Sequence, residues 1–303
     1  MRTLAVLDLG SNTVLITVGR LRADGRMEIL WDEGRVVRMS EGLQDGGALQ
    51  PEAKKRVLAA LEDFQREARR HGATEVIAAG TAAFRRARDG VDFAREIFDR
   101  LGIPVRILSG DEEARYSFAS AQLDFGQGLE SLGMIDIGGG STEFVHGERG
   151  PRFSLPIGTV RLTEALITSH PISDDEWRRL LAEIDGRLAE SMKKGSAVPA
   201  TWAAVAATPA SLAAVLLELP VYQPEKIHGF LLKKSELESL LKKLRGLSLE
   251  ERKKLPGMHP DRAELLPVGG AILWRSMEFL GLEEILVSDH GLRYGILHEE
   301  LIG

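Results

Sequence analysis

Leu4-Ala5-Val6-Leu7-Asp8-Leu9-Gly10-Ser11-Asn12-Thr13 and Leu132-Gly133-Met134-Ile135-Asp136-Ile137-Gly138-Gly139-Gly140-Ser141-Thr142 are two versions of one phrase. Each reads as an apolar strand ending in Asp, a turn of small and hydroxylated residues, and a second strand, Val14–Gly19 in the first copy and Glu143–Gly147 in the second. A phrase repeated in this way predicts two similar lobes. Small turn residues let backbone N–H groups converge on an anion, and a carboxylate at a strand end can hold a hydrated cation. Two such turns facing each other would clamp phosphate and magnesium.

Outward from the first copy, Met27–Val37 reads as a third strand entered through Asp24-Gly25, and a glycine-rich loop follows at Glu41–Gly47. Pro51–His71 predicts a helix, because Pro51 suits the first helical position and Val57, Leu58, Leu61, Phe64 and Ala68 recur at helical spacing before Gly72. Strands at Thr74–Ala79 and Pro104–Leu108 alternate with helices at Val91–Leu101 and Asp111–Gln122, which predicts a mixed α/β lobe. From Leu132 the order restarts. A third strand is expected at Arg152–Leu155, with further strands at Trp202–Val205 and Glu284–Val287. Helices are expected at Arg161–Ser169, Asp174–Lys193, Ala210–Glu218, Lys233–Leu244, Glu264–Leu280 and Leu292–Leu301. The expected boundary between the lobes is Phe125–Glu130.

The 303 residues suit two ordinary domains, and 44% hydrophobic with 28% charged residues is normal for a soluble globular protein, with nothing to suggest disorder. Met1-Arg2-Thr3 runs straight into a strand without the features of a signal peptide, so a cytoplasmic location is expected by default. The absence of cysteine excludes disulfides, thiolate catalysis and cysteine-ligated metals. The longest apolar window, Trp202 to Val221, is broken by Thr208, Pro209, Ser211, Glu218 and Pro220 and reads as a buried strand and helix rather than a membrane span. A net charge of −6 argues against general attraction to nucleic acid or anionic membrane.

Taken alone, the Asp8 phrase would be an ordinary hairpin turn. Its pairing with the Asp136 phrase changes that reading, because three consecutive glycines between apolar strands point to close backbone approach by a ligand. The two turns resemble the phosphate motifs of the actin-like phosphotransferase superfamily. Within it, the strings are similar to the exopolyphosphatase / guanosine pentaphosphate phosphohydrolase (Ppx/GppA) family. The segments Gly80–Arg85, Ser109–Arg115, Ser154–Glu164, Asp261-Arg262-Ala263 and Ser288–Gly295 match that family's patterns in order along the chain. The resemblance implies an α/β fold of two actin-like (ribonuclease H-like) lobes, each a mixed β-sheet flanked by helices, with the active site in the cleft between them. The lobes are expected at 1–125 and 126–303, with the last helix free to pack back on the first.

Two glutamates at the start of a helix, Glu112 and Glu113, can be mere capping residues. By resemblance, Glu113 stands where the family places its catalytic glutamate, which orients or deprotonates the attacking water. Asp136 and Glu143 bracket the glycine turn, and by resemblance both serve metal and water, with Asp8 as their counterpart in the first lobe. The implied ion is Mg2+, with Mn2+ as the alternative. Gly10, Ser11, Asn12, Thr13, Gly138, Gly139, Gly140, Ser141 and Thr142 are the expected phosphate-binding turns, joined by Arg85 and, more weakly, Arg262. A surface arginine cluster is most often simply solvated, and only its family position assigns Arg85 to phosphate. Basic residues outnumber acidic ones from Lys233 to Arg262, either as a solvated helix face or as a track for a long polyanion. None of the seven histidines shows metal-ligand spacing, and none is assigned. Ser11 and Ser141 lack a neighbouring base in sequence, so phosphate hydrogen bonding is their expected role rather than nucleophilic attack.

The function that these residues imply is Mg2+-dependent release of terminal orthophosphate from inorganic polyphosphate, or of the 5′ γ-phosphate from guanosine pentaphosphate. The family's longer exopolyphosphatases add a C-terminal helical domain that grips the polymer; this chain stops after its second lobe, which counts against processive action on very long chains. The competing classes are an ATP-dependent small-molecule kinase of the same superfamily and a non-enzymatic polyphosphate or alarmone sensor. Ala203–Pro209 stands where such kinases, and many Ppx/GppA relatives, carry a more glycine-rich turn, which counts against a nucleotide base there. Retention of Glu113, Asp136 and Glu143 counts against the sensor. A homodimer is compatible with the resemblance, and composition neither supports nor excludes it.

Overall fold

The computed structural model describes residues 2–126, 131–192 and 199–302. Its contacts divide the chain into two units, Met1–Ser120 with Leu292–Gly303, and Ala121–Gly291. The chain therefore passes between units within the helix Gly110–Phe125 rather than after it. The expected boundary Phe125–Glu130 falls just beyond, and its residues 127–130 lie outside the described residues.

The first unit contains β1 (Thr3–Leu9), β2 (Thr13–Leu21), β3 (Met27–Val36), α1 (Pro51–Arg70), β4 (Glu75–Gly80), α2 (Ala82–Arg86), α3 (Gly90–Leu101), β5 (Val105–Ile107) and the start of α4 (Gly110–Phe125). Its sheet runs β3-β2-β1-β4-β5, antiparallel within the β1-β2-β3 meander and parallel from β1 to β5. β1 reads as an unbroken apolar run because it is covered on both faces. On one face α1 and α3 bury Val57, Leu61, Phe64, Phe93 and Ile97. On the other, α12 (Leu292–Ile302) brings Leu292, Ile296 and Leu297 against Leu4, Val6, Ala79 and Tyr116. Gly295 is where α12 meets α4, since a Cβ there would lie 2.0 Å from the Tyr116 carbonyl oxygen. A partly buried polar knot anchors the same helix: Arg293 donates to Thr17 Oγ1 at 2.7 Å and to Asp32 Oδ1 at 2.9 Å, and the Tyr294 hydroxyl donates to Asp32 at 2.7 Å.

The second unit contains β6 (Leu132–Ile137), β7 (Thr142–Val145), β8 (Arg152–Leu155), α5 (Thr159–Leu166), α6 (Asp174–Ser191), β9 (Thr201–Val205), α7 (Ala207–Leu216), α8 (Pro224–Ile227), β10 (Leu231–Lys233), α9 (Lys234–Gly246), α10 (Leu249–Lys253), a 3-10 turn at Pro260–Arg262, α11 (Leu266–Leu280) and β11 (Glu284–Val287). Its sheet, read from one edge, is β8-β7-β6-β9-β11-β10. The first five positions repeat the order β3-β2-β1-β4-β5, so the sequence repeat is also a repeat of topology. The added β10 is an antiparallel edge strand of three residues, too short to show an alternating pattern, and the sequence analysis missed it. The one-turn helices α2, α8 and α10 were missed for the same reason. The expected end of α6 at Lys193 lies outside the described residues. α11 is buried nearly all round, as its uniformly apolar first turns require. No helix among the described residues is long and apolar enough to cross a membrane.

Two local features carry measurable consequences. Buried Glu176 accepts hydrogen bonds from the amides of Thr168, Ser169 and Ser173 and from their hydroxyls, tying the chain after α5 to the start of α6. Those donors, the Ser169 and Ser173 hydroxyls first, hold its pKa far below the ordinary 4.5. The stabilisation is present above the unfolded value and is lost as acid protonates the group. Glu176→Gln should therefore lower the urea midpoint at pH 7, and the gap to the wild type should close as the pH falls well below 4.5. Ala206, at the start of α7, holds φ 77° and ψ −176°, a conformation that essentially only glycine adopts without strain. Ala206→Gly should raise unfolding free energy by about 1 kcal/mol in denaturant titration.

Candidate active site

Both motif turns are closed in the same way. Gly10 N–H donates to the Thr13 carbonyl at 3.1 Å, and Gly138 N–H donates to the Ser141 carbonyl at 3.0 Å. A Cβ on Gly10 would meet that acceptor oxygen at 2.8 Å and one on Gly138 would meet it at 3.1 Å, so both positions favour glycine. The hairpin registers match too, with one chemical difference. Asp8 stands opposite Leu15, whereas Asp136 stands opposite Glu143. Adjacent strands in register place directly opposite side chains on one face of a sheet, so the carboxylate pair exists only in the second unit.

In the first unit the turn is braced by the segment after β3. Val37 and Arg38 amides donate to the Asn12 carbonyl, each at 2.9 Å, and Ser40 donates to the Ser11 carbonyl through both its amide and its hydroxyl. Ser11 and Asn12 are buried, and the Asn12 side-chain Nδ2 has no protein hydrogen-bond acceptor among the described residues. That donor is suited to an anion's oxygen. The Thr81 hydroxyl donates to the Leu9 carbonyl at 3.1 Å, joining the turn to the start of α2.

The two glutamates at the start of α4 have separate fates. Glu112 forms a capping box with Ser109, accepting from its amide and hydroxyl at 2.8 Å each, and those bonds lower its pKa. Glu113 is 6% exposed and accepts a charge-assisted hydrogen bond from Arg85 Nη2 at 2.9 Å. Arg85 Nη1 donates to the Leu108 carbonyl at 2.7 Å, so the guanidinium bridges two protein acceptors and fixes the glutamate. Sequence reading placed Arg85 against substrate phosphate; in the structure its guanidinium holds the Glu113 carboxylate and the Leu108 carbonyl. Its neighbour Arg86 turns away, to Asp45 and the Leu43 carbonyl, and pins the glycine-rich loop.

In the second unit the carboxylates lie in a row across the sheet. Glu143 is 3% exposed, faces Asp136 on β6 and Ser154 on β8, and accepts from the Ser154 hydroxyl at 2.7 Å. The role of Ser154 in orienting Glu143 was not legible in sequence, because it depends on the β7-β8 register. The glycine turn is seated on α5: the Gly138 carbonyl accepts from Thr159 N–H, and the Gly139 carbonyl accepts from Val160 and Arg161. A Cβ on Gly158 would come within 2.5 Å of Gly139 and Gly140 backbone atoms. Close packing of α5 on the turn thus requires glycine at position 158. Thr142 is fully buried with its hydroxyl donating to the Ile157 carbonyl at 2.6 Å, while Ser141 keeps a small accessible area.

Arg262 lies in the 3-10 turn, and the protein atoms surrounding it push its pKa down to about 10, against the opposing effect of Tyr222 and Asp261. It remains a cation at neutral pH. Several cations of the basic stretch before it are paired within the protein. Lys234 pairs with Glu278 and Glu283, Lys242 with Glu238, Lys253 with Glu250 and Arg245 with Asp174, while Arg252 is wholly buried and donates to the Leu244 carbonyl.

As chemistry, the first unit offers a fixed buried carboxylate and a small-residue turn, and the second offers two hard-oxygen donors beside another such turn. Known proteins resemble the chain over nearly its whole length. Exopolyphosphatase 2 of Mycobacterium tuberculosis is 32% identical over 316 residues, covering 96% of each sequence. Among solved structures, a Ppx/GppA family member from Aquifex aeolicus superposes with a TM-score of 0.83 at 26% identity, covering 99% of this chain and 98% of its own. An exopolyphosphatase from Cytophaga hutchinsonii superposes with a TM-score of 0.89 at 25% identity, covering 100% and 98%. The model of the Ppx/GppA phosphatase family matches residues 18–302, nearly the whole chain: this chain belongs to the Ppx/GppA phosphatase family.

Proposed function

We propose that this protein hydrolyses phosphoanhydrides, releasing terminal orthophosphate from inorganic polyphosphate, with the 5′ γ-phosphate of guanosine pentaphosphate as a second substrate. The observation that carries the reading is the buried Glu113 carboxylate, held by Arg85 at 2.9 Å in a chain of this family. A carboxylate used only for capping resembles Glu112, which is tied to its own helix start. In this reading Glu113 accepts a hydrogen bond or proton from the water that attacks the terminal phosphorus, and the bridging P–O bond breaks to leave a shortened chain. The turns Gly10–Thr13 and Gly138–Thr142, with Asn12 Nδ2, replace water around phosphate oxygens, and Arg262 contributes positive charge.

Asp136 and Glu143 suit Mg2+ or Mn2+, since both offer hard oxygen donors from opposing strand positions and Ser154 orients one of them. Asp8 is assigned the same role from the first unit. A bound Mg2+ supplies charge neutralisation at the phosphate oxygens.

The test is orthophosphate release from long polyphosphate, short polyphosphate and guanosine pentaphosphate, with ATP as control. Glu113→Gln should cut kcat by at least ~100-fold while KM stays within a few-fold; turnover retained in this variant rejects the assignment. EDTA should abolish release, and added Mg2+ should restore it. Transfer of phosphate from ATP to an acceptor, with no hydrolysis of the other substrates, would favour the kinase instead. No release from any substrate would favour the sensor.

A further inference from the structure

Histidines without recognisable spacing in sequence meet in the second unit. Asp124 near the end of α4, His228 directly after α8 and His290 between β11 and α12 each offer one ligand atom, and these atoms lie within 4.8 Å of one another. Asp124 Oδ1 is 2.8 Å from His290 Nδ1 and 4.0 Å from His228 Nε2. The second carboxylate oxygen accepts from the Ser288 hydroxyl at 2.9 Å, which fixes the group with Oδ1 toward the rings. His228 stands between two other rings, its centroid 5.1 Å from Phe125 and 4.4 Å from His290.

A hydrogen-bonded Asp-His pair would explain His290 but not His228. The His228 ring makes no hydrogen bond among the described residues, and its Nδ1 is buried. We propose that Asp124, His228 and His290 bind one borderline-soft divalent transition-metal ion, with Zn2+ as the type case, using none of the carboxylates assigned above to Mg2+. Two imidazoles and one carboxylate are a donor set that suits Zn2+, Co2+ or Ni2+ far better than Mg2+. Bonds of about 2.0 Å in a tetrahedron separate neighbouring ligand atoms by about 3.3 Å, a distance bracketed by the 2.8 and 4.0 Å found here. Ser288 supplies the supporting hydrogen bond that ligating carboxylates commonly receive. Burial, and secondarily His290, lowers the His228 pKa and so favours the neutral ring that coordinates metal. Three protein donors leave one position for water.

Asp124 and His290 lie on the two segments by which the chain enters and leaves the second unit, so the ion would fasten both connections to α8. The experiment uses the full chain, stripped with EDTA and then kept in excess Mg2+, titrated with Co2+ as the spectroscopic substitute for Zn2+. Intense visible ligand-field bands are expected, saturating at a single Co2+ per chain, displaced by Zn2+ and indifferent to further Mg2+. Oxygen-only six-coordinate sites give only faint bands. His228→Ala and Asp124→Asn should each weaken Co2+ binding by roughly 100-fold. Absence of intense bands in the wild-type chain overturns the proposal, and so do bands of unchanged affinity in both variants. Should either variant fail to fold, the wild-type chain still decides: Zn2+ should raise its Tm in excess Mg2+, and no rise refutes the site.

Discussion

A single hydrogen bond from a glycine amide to the carbonyl three residues later closes each motif hairpin, and the disposition of the candidate groups on the two hairpins follows from it. The closure sets the strand register, and the register puts Asp136 opposite Glu143 and Asp8 opposite Leu15. A one-residue slip would send each of these side chains to the other face of its sheet. The neighbouring segments then reinforce the closure. α5 seats its first amides on the carbonyls of the second turn, and the chain after β3 donates to those of the first. With the turn carbonyls engaged in this way, the turns are held by the protein's own hydrogen bonds, which would lower the reorganisation that the proposed phosphate binding requires.

Much of this was legible in the sequence because the signals are local. Alternation and length distinguished helices from strands. The repeated phrase identified the paired units, and the strand orders of the two sheets agree with it. What escaped was set by tertiary pairing. β10 exists because β11 offers it an edge, and its three residues carry no pattern of their own. Ser154 becomes a partner of Glu143 only when β7 and β8 align. The arginines of the Phe84–Arg88 cluster look alike in sequence, yet Arg85 reaches Glu113 while Arg86 reaches Asp45, a choice made by helix phase. The histidines that converge near Asp124 come from segments far apart in the chain, and no spacing rule reports such a meeting.

Glycine near the second turn answers to packing as well as to ligand approach. Gly158 lets α5 come close to the backbone of Gly139 and Gly140, a requirement of the protein itself. Open backbone for the phosphate proposed at Gly138–Gly140 would be a separate requirement. The turn before α7 is the reverse case, since Ala206 occupies a conformation suited to glycine and the fold tolerates its strain. Glycine content alone is thus a poor guide to where a ligand approaches.

The return of α12 to the first unit sets an order on synthesis. Leu4, Val6, Ala79, Leu108 and Tyr116 precede the second unit in the chain, yet Leu292, Ile296 and Leu297, which cover them, follow all of it. Throughout elongation of the second unit, the first presents an apolar sheet face without its helix. The nascent chain must keep that face from other chains until α12 arrives, so the first unit cannot be completed before the second has been made.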